Sequence, residues 1–231
     1  MIRRLIALAL LVGLGFVFLD LLQGYTPDPV LNRTAAYYAE NTVRDTGAAN
    51  IVAAIIVTFR GLDTLGEVTV LFLTAAIVAM VLRDDVGAGR ANPAGWPAGE
   101  LLQTGTRLLV PLIVLFGAYV FLNGHLTPGG GFQGGAIIAS AVLLMLLTDP
   151  ARRFSHRLIS VVESVSGIAY VAVGLLGLLL AGGFLDNRFL PLGAFGTLLS
   201  AGAIPVIYAL IGLKVGAEFS SILLSLSERE D

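Results

Sequence analysis

Six strongly apolar runs, at residues 5–22, 64–82, 108–122, 136–147, 158–180 and 201–224, alternate with polar or glycine-rich stretches along the chain. About 20 apolar residues are what an α-helix needs to cross a hydrocarbon core roughly 30 Å thick. The first run alone makes about 27 Å of helix, and Arg3 and Arg4 precede it. It reads as a spanning helix rather than a cleaved leader, because Asp20-Leu21-Leu22-Gln23-Gly24 has no small-x-small cleavage pattern and the run is long for a leader core. The third and fourth runs are short, so they must borrow flanking residues such as Arg107 and Gly135 to cross. Residues 24–47 are polar and belong in water. Residues 51–59 are apolar but too short to span, and read as an interfacial or partly re-entrant helix that leads through Arg60-Gly61-Leu62-Asp63 into the second span. The predicted fold is all-α: a polytopic membrane bundle of about six transmembrane helices.

Composition supports this pattern and removes several function classes. Of 231 residues, 56% are hydrophobic and 13% are charged, against about 25% charged in a soluble domain; the mean hydropathy is +0.88. A formal net charge of -2 argues against a nucleic-acid partner, which demands a concentrated basic surface. There is no cysteine, hence no disulfide, thiol catalysis or iron–sulfur ligation.

Charge asymmetry sets an orientation. With the N-terminus inside, one side holds Arg3, Arg4, Arg83, Arg90, Arg107, Arg152, Arg153, Arg157 and Arg229, and the other only Arg33, Arg44, Arg60 and Arg188. The positive-inside rule then places both termini in the cytoplasm of a multi-pass protein of the cell membrane.

One stretch breaks the apolar pattern sharply. Residues 123–135 hold six glycines, Pro128 and one of the chain's two histidines. Each glycine costs about 1 kcal/mol of helix propensity and proline removes an amide donor, so the whole stretch is expected to be a tightly folded loop, on the outer face. Its backbone needs partners there, from water or from other protein.

Ionisable groups in or beside the spans are the functional candidates, since a charge in hydrocarbon must be paired or hydrated. Asp20 ends the first helix, Arg60, Asp63 and Glu67 begin the second, and His125 ends the third, which makes an outer group. Glu163 in the fifth span and Lys214 and Glu218 at i, i+4 spacing in the sixth make an inner group. For Asp20 and Arg60 the plainer reading is an interfacial charge reaching headgroups and water. Lys214 and Glu218 read equally well as a structural ion pair. His125 either fixes the loop by bonding its backbone or handles a proton near neutral pH. Gly13, Gly15, Gly167, Gly174 and Gly177 are expected to let helices approach closely.

No enzyme motif is present. The glycines lack the Lys-Ser/Thr of a phosphate loop and no strand precedes them; there is no His-x-x-x-His metal pair and no nucleophile–base pair. No cofactor is expected, and a binding or translocating membrane subunit is favoured over a catalyst.

The sequence Gly124-His125-Leu126-Thr127-Pro128-Gly129-Gly130-Gly131-Phe132-Gln133-Gly134-Gly135, set between two apolar helices, closely resembles the signature of the MnhB/MrpB subunit of Mrp-type multisubunit sodium/proton antiporters. This resemblance covers roughly residues 101–224. Residues 50–70, above all Phe59-Arg60-Gly61-Leu62-Asp63-Thr64-Leu65-Gly66-Glu67, resemble the MbhE-type segment found at the C-terminal end of MrpA. The resemblance implies an MbhE-like segment at 1–85, a linker at 86–100 and an MnhB-like domain at 101–231.

By the same resemblance, the chain is a non-catalytic subunit of an ion-translocating assembly that exchanges Na+ for H+, embedded in lipid beside large antiporter-like chains. The resemblance carries an ion-transport role to Glu67 and motif membership to Arg60, Gly61, Asp63, Thr64 and Gly66. Glu67, Asp63, Asp20 and His125 would then border an outer path, with a transient Na+ near Glu67 for which Thr64 and loop carbonyls offer oxygens. Glu163, Lys214 and Glu218 would border an inner one. A redox-driven host with an Mrp-like membrane arm, such as a membrane-bound hydrogenase, is the competing reading, and a purely structural scaffold role is another.

Overall fold

The structure is a computed structural model that describes residues 2–25, 30–84, 99–149 and 154–230. Most of the expected linker at 86–100, together with Arg152 and Arg153, lies outside the described residues. Among the described residues six helices are long and apolar enough to cross a membrane: α1 (Ile2–Gly24), α4 (Gly61–Asp84), α5 (Glu100–Leu122), α6 (Gly131–Thr148), α7 (His156–Ala181) and α8 (Ile204–Glu230). The all-α membrane bundle read from the apolar runs is the fold observed. Two shorter helices, α2 (Arg33–Thr46) and α3 (Ile51–Ala54), precede a π-helical turn at Ile55–Phe59.

The chain forms two compact units, residues 1–37 and 38–231. In the first, α1 is a single apolar helix whose large side chains, Leu5 through Leu22, are exposed. In the second, α8 is the central post. It packs against α4, α5, α6 and α7 and supplies Ile204, Ile207, Tyr208, Ile211 and Val215 to the buried core, beside Tyr170 of α7 and Val57 of the π-turn. The axis bends by 85° between α2 and the 51–59 segment, at Gly47, whose φ of 70° is the left-handed conformation that glycine adopts freely at a helix end. Thr64 stabilises the irregular turn: its hydroxyl donates to the Ile56 carbonyl at 2.7 Å, a group that a regular helix would have satisfied itself.

The glycine stretch departs from expectation. It is a loop only to Gly130; Gly131, Phe132, Gly134 and Gly135 form the first turns of α6. Tertiary packing overrides the low propensity. A Cβ on Gly135 would stand 2.8 Å from the Gly212 carbonyl and from the Gly216 amide of α8, and one on Gly134 would stand 2.6 Å from the Gly117 carbonyl of α5. Neither space admits a methyl group, so backbone meets backbone on both sides of α6, as small-residue interfaces in membranes allow. Gly13 and Gly15, expected to serve close packing, face open space in this chain. Gly174 and Gly177 instead receive Phe184 and the backbone at Asp186, and Gly167 faces the Lys214 side chain.

Candidate functional site

Three loops meet at one end of the bundle. The Asn50 side chain caps α3 by accepting from the amides of Val52 and Ala53, and its Nδ2 donates to the carbonyls of Gly124 at 2.8 Å and Thr127 at 3.0 Å. The amides of Ala49 and Asn50 both donate to the His125 carbonyl at 3.0 Å. Buried Asn187 joins the α7–α8 connection to the same end, its Nδ2 donating to the Thr46 carbonyl at 2.8 Å and the Ala201 carbonyl at 2.9 Å. Nearby, Asp186 pairs with Arg188 at 2.6 Å. Burial pushes the Asp186 carboxyl up, but the Arg188 hydrogen bonds and charge outweigh it and hold the group below its ordinary value.

His125 is fully buried in this junction. Its Nε2 faces the Thr197 carbonyl at 3.3 Å; a carbonyl only accepts, so Nε2 carries the proton. Nδ1 is buried with no hydrogen-bond partner among the described residues. Burial holds the imidazole below its ordinary pKa, against the Thr197 and Leu122 carbonyls, which favour a proton. Among the described residues no hydrogen bond or ion pair joins it to Asp63 or Glu67, so the structure does not gather the outer group around it.

At the start of α4, Arg60 and Asp63 form an ion pair at 2.5 Å with both side chains more than half exposed, an arrangement worth at most about 1 kcal/mol. Thr64 is buried and committed to the π-turn, and Gly61 lies against Leu185, whose Cδ1 would be 2.8 Å from an added Cβ. Gly66 has open space around it. One turn beyond Asp63, Glu67 is exposed on the surface of an apolar helix. A carboxylate at such a place needs water or a polar neighbour. Asp20 is exposed near the end of α1, in the other compact unit.

The inner group is brought together. Lys214 Nζ lies 2.7 Å from Glu218 Oε1, with side-chain exposures of 9% and 0%, and sits 5.0 Å from the centre of the Phe72 ring, a cation–π contact that ties α8 to α4. Glu163 acts electrostatically on Glu218 and lines a cavity of about 340 Å³ together with Lys214, Tyr170, Thr69 and Phe72. The ammonium that pairs with Glu218 thus faces the same cavity as Glu163. Tyr170 is the residue that sequence reasoning missed. It is 1% exposed, its hydroxyl has no hydrogen-bond partner among the described residues, and the Glu67 carboxylate acts on it electrostatically. The signal was the i, i+4, i+7 spacing of Glu163, Gly167 and Tyr170, which puts all three on one face of α7. Among the described residues no three His, Asp or Glu side chains are arranged to hold a metal ion.

Two family models match the sequence: a domain related to the MnhB subunit of Na+/H+ antiporter, over residues 101–221, and MbhE, the E subunit of MBH, over residues 2–89. A K+/H+ antiporter A/B subunit of Rhizobium meliloti is 30% identical over 199 residues, covering 76% of this chain and 19% of that protein. A chain of the membrane-bound sulfane sulfur reductase, an archaeal respiratory membrane complex, superposes with a TM-score of 0.82 and 41% identity, covering 98% of each chain. A chain of the Mrp complex from Dietzia sp. DQ12-45-1b superposes with a TM-score of 0.77 and 27% identity, covering 97% of this chain and 26% of that one.

Proposed function

The chain belongs to the family of domains related to the MnhB subunit of Na+/H+ antiporters, and on that premise we propose that it serves as a small membrane subunit of an Mrp-type cation/proton antiport module, contributing both to an ion path and to assembly of the membrane arm. The observation that carries this reading is the family match over residues 101–221, which includes the glycine signature. Its partners are the larger antiporter-like chains of such a module, the bilayer, and the ions Na+ and H+.

In this reading the MbhE-like segment, residues 1–85, the linker, residues 86–100, and the MnhB-like domain, residues 101–231, act in one polypeptide, with both termini cytoplasmic. Glu67 borders the ion path where α4 meets a neighbouring chain of the module, with Asp63 one turn away, Asp20 as a further contributor, and a Na+ passing near the Glu67 carboxylate. Exposure of Glu67 on an apolar helix supports this placement, because lipid alone would not tolerate the charge. Glu163, Lys214 and Glu218 border the inner half of the path. His125, bonded into the loop junction, fixes the shape of the outer end, and the glycines of 124–135 allow the close approach of backbones that holds α5, α6 and α8 together.

A second reading is favoured by the end-to-end likeness to a chain of the sulfane sulfur reductase, against likeness to only part of a longer chain in the Mrp complex. Here the same module is coupled to a redox enzyme, whose catalysis resides in other subunits. The test is to delete the chain in its host, purify the remaining assembly, and measure cation-driven proton flux in vesicles. Loss of flux that returns with the full chain supports the proposal. Unchanged flux without the chain contradicts it. Redox subunits in the purified assembly would select the second reading.

A further inference from the structure

The cavity between α4, α7 and α8 is lined by Glu163 and Lys214 of the inner group and by Thr69 and Phe72 of α4, the helix that carries Glu67. By helical rise, Glu67 lies about 9 Å from the start of α4, Tyr170 about 20 Å along α7, and Glu163 about 10 Å below Tyr170. On α4, Thr69 and Phe72 follow Glu67 into the cavity, and on α7 Gly167, which faces the Lys214 side chain, lies between Tyr170 and Glu163. Phe72, over which the Lys214 ammonium sits, faces the same cavity from α4.

We propose that the Tyr170 hydroxyl and water in this cavity join the outer and inner groups into one proton route, from Glu67 through Tyr170 to Lys214, Glu163 and Glu218. The proposal rests on the antiport reading above and deepens it. Two observations carry it besides the acids themselves. Tyr170 is almost fully buried, lines the cavity, and its hydroxyl has no partner among the described residues; a buried hydroxyl left without a bond is costly, and a water in the adjoining space is the partner that removes the cost. Glu218 is fully buried, and its Oε2 likewise has no partner. A cavity of about 340 Å³ holds several waters, each of which takes roughly 30 Å³ in the liquid.

The chemistry selects a proton over a bare Na+. A sodium ion prefers a shell of oxygens, whereas the Lys214 ammonium lines this cavity among mostly apolar neighbours. A proton needs only a chain of hydroxyl, water and carboxylate. In each transfer one O–H or N–H bond breaks as the next forms, and Tyr170 ends with the single proton it began with, so no co-reactant is required. With two carboxylates and one ammonium, the inner group has room for one positive charge in transit. α6 contributes no titratable side chain to this region.

The test uses the assembled complex in proteoliposomes, with proton flux driven by a cation gradient and normalised to assembled complex. Tyr170→Phe keeps the ring and removes only the hydroxyl; flux is expected to fall by about tenfold or more, and the double variant with Glu67→Gln is expected to show no further loss beyond the lower single variant. Thr69→Leu, at the exposed rim of the cavity, is expected to lower flux by narrowing the space for water. Should Tyr170→Phe fail to assemble, the Thr69 variant decides. Wild-type flux in Tyr170→Phe while Glu67→Gln is impaired overturns the Tyr170 route and leaves the antiport role of the chain standing. Wild-type flux in both overturns the reading on which the route rests.

Discussion

Removing Lys214 should cost more than removing Glu218, and the structure gives the reason for the asymmetry. Glu218 is fully buried and takes its countercharge from the Lys214 ammonium at 2.7 Å, while Lys214 also has Glu163 in the same cavity and the Phe72 ring 5.0 Å away. Lys214→Met leaves the fully buried Glu218 carboxylate without its ammonium; breaking a buried pair in this way costs about 3–5 kcal/mol. Glu218→Gln removes one charged hydrogen bond, worth about 1.5–3 kcal/mol, and leaves the Lys214 ammonium over the Phe72 ring beside an amide oxygen. The double variant Lys214→Met/Glu218→Gln should be more stable than Lys214→Met alone, with a coupling of about 1–3 kcal/mol. Thermal unfolding midpoints of the detergent-purified complex, read with its size-exclusion profile, give the order. A midpoint lowered as much by Glu218→Gln as by Lys214→Met, or a double variant that is the least stable of the three, would refute the asymmetry.

Other positions give independent checks. Gly135→Ala places a methyl group against backbone of α8 on two sides and should cost at least about 1–3 kcal/mol, seen as lost yield of folded chain; Gly66→Ala, with nothing nearby, should be neutral or stabilise by up to about 1 kcal/mol. Asn50→Ala loses the α3 cap and two donated bonds and should destabilise by about 2–4 kcal/mol, and Asn50→Asp, which keeps the cap but turns an acceptor oxygen toward the Gly124 and Thr127 carbonyls, should destabilise as well. Because burial lowers the His125 pKa from 6.5, the open loop binds the proton more readily than the closed one. The junction is therefore stable above about pH 6.5 and loses stability as pH falls through the folded value; hydrogen exchange at residues 123–130, corrected for intrinsic rates, should rise between pH 7.5 and 5.5, and His125→Asn should remove that pH dependence.

The spans were legible because a membrane helix is a long local signal: each apolar run needs only its own residues to identify it. The Lys214–Glu218 pair was legible for the same reason, its i, i+4 spacing being a property of one helix. Gly131 to Gly135 were misread as loop because propensity counts glycine against a helix without regard to neighbours, and the benefit here comes from the Gly117 and Gly212 backbones, far away in sequence. Asn50 and Asn187 gave no warning of their junctions, since their bonds reach 74 and 141 residues along the chain. The Tyr170 hydroxyl shows its importance only beside the Glu67 carboxylate, which the fold brings from another helix. The exposure of Glu67 was equally invisible, because the hydrophobic pattern of α4 is nearly uniform around its axis and names no inner face.

That the Glu67 carboxylate lies in the ion path is the central claim, and the initial rate of cation-driven proton flux through Glu67→Gln complexes in vesicles measures it directly. With the same subunit complement as the wild type, the variant should lose about tenfold or more of the rate, and Glu67→Asp should restore part of it. A Glu67→Gln complex that assembles normally and transports at the wild-type rate would contradict the claim.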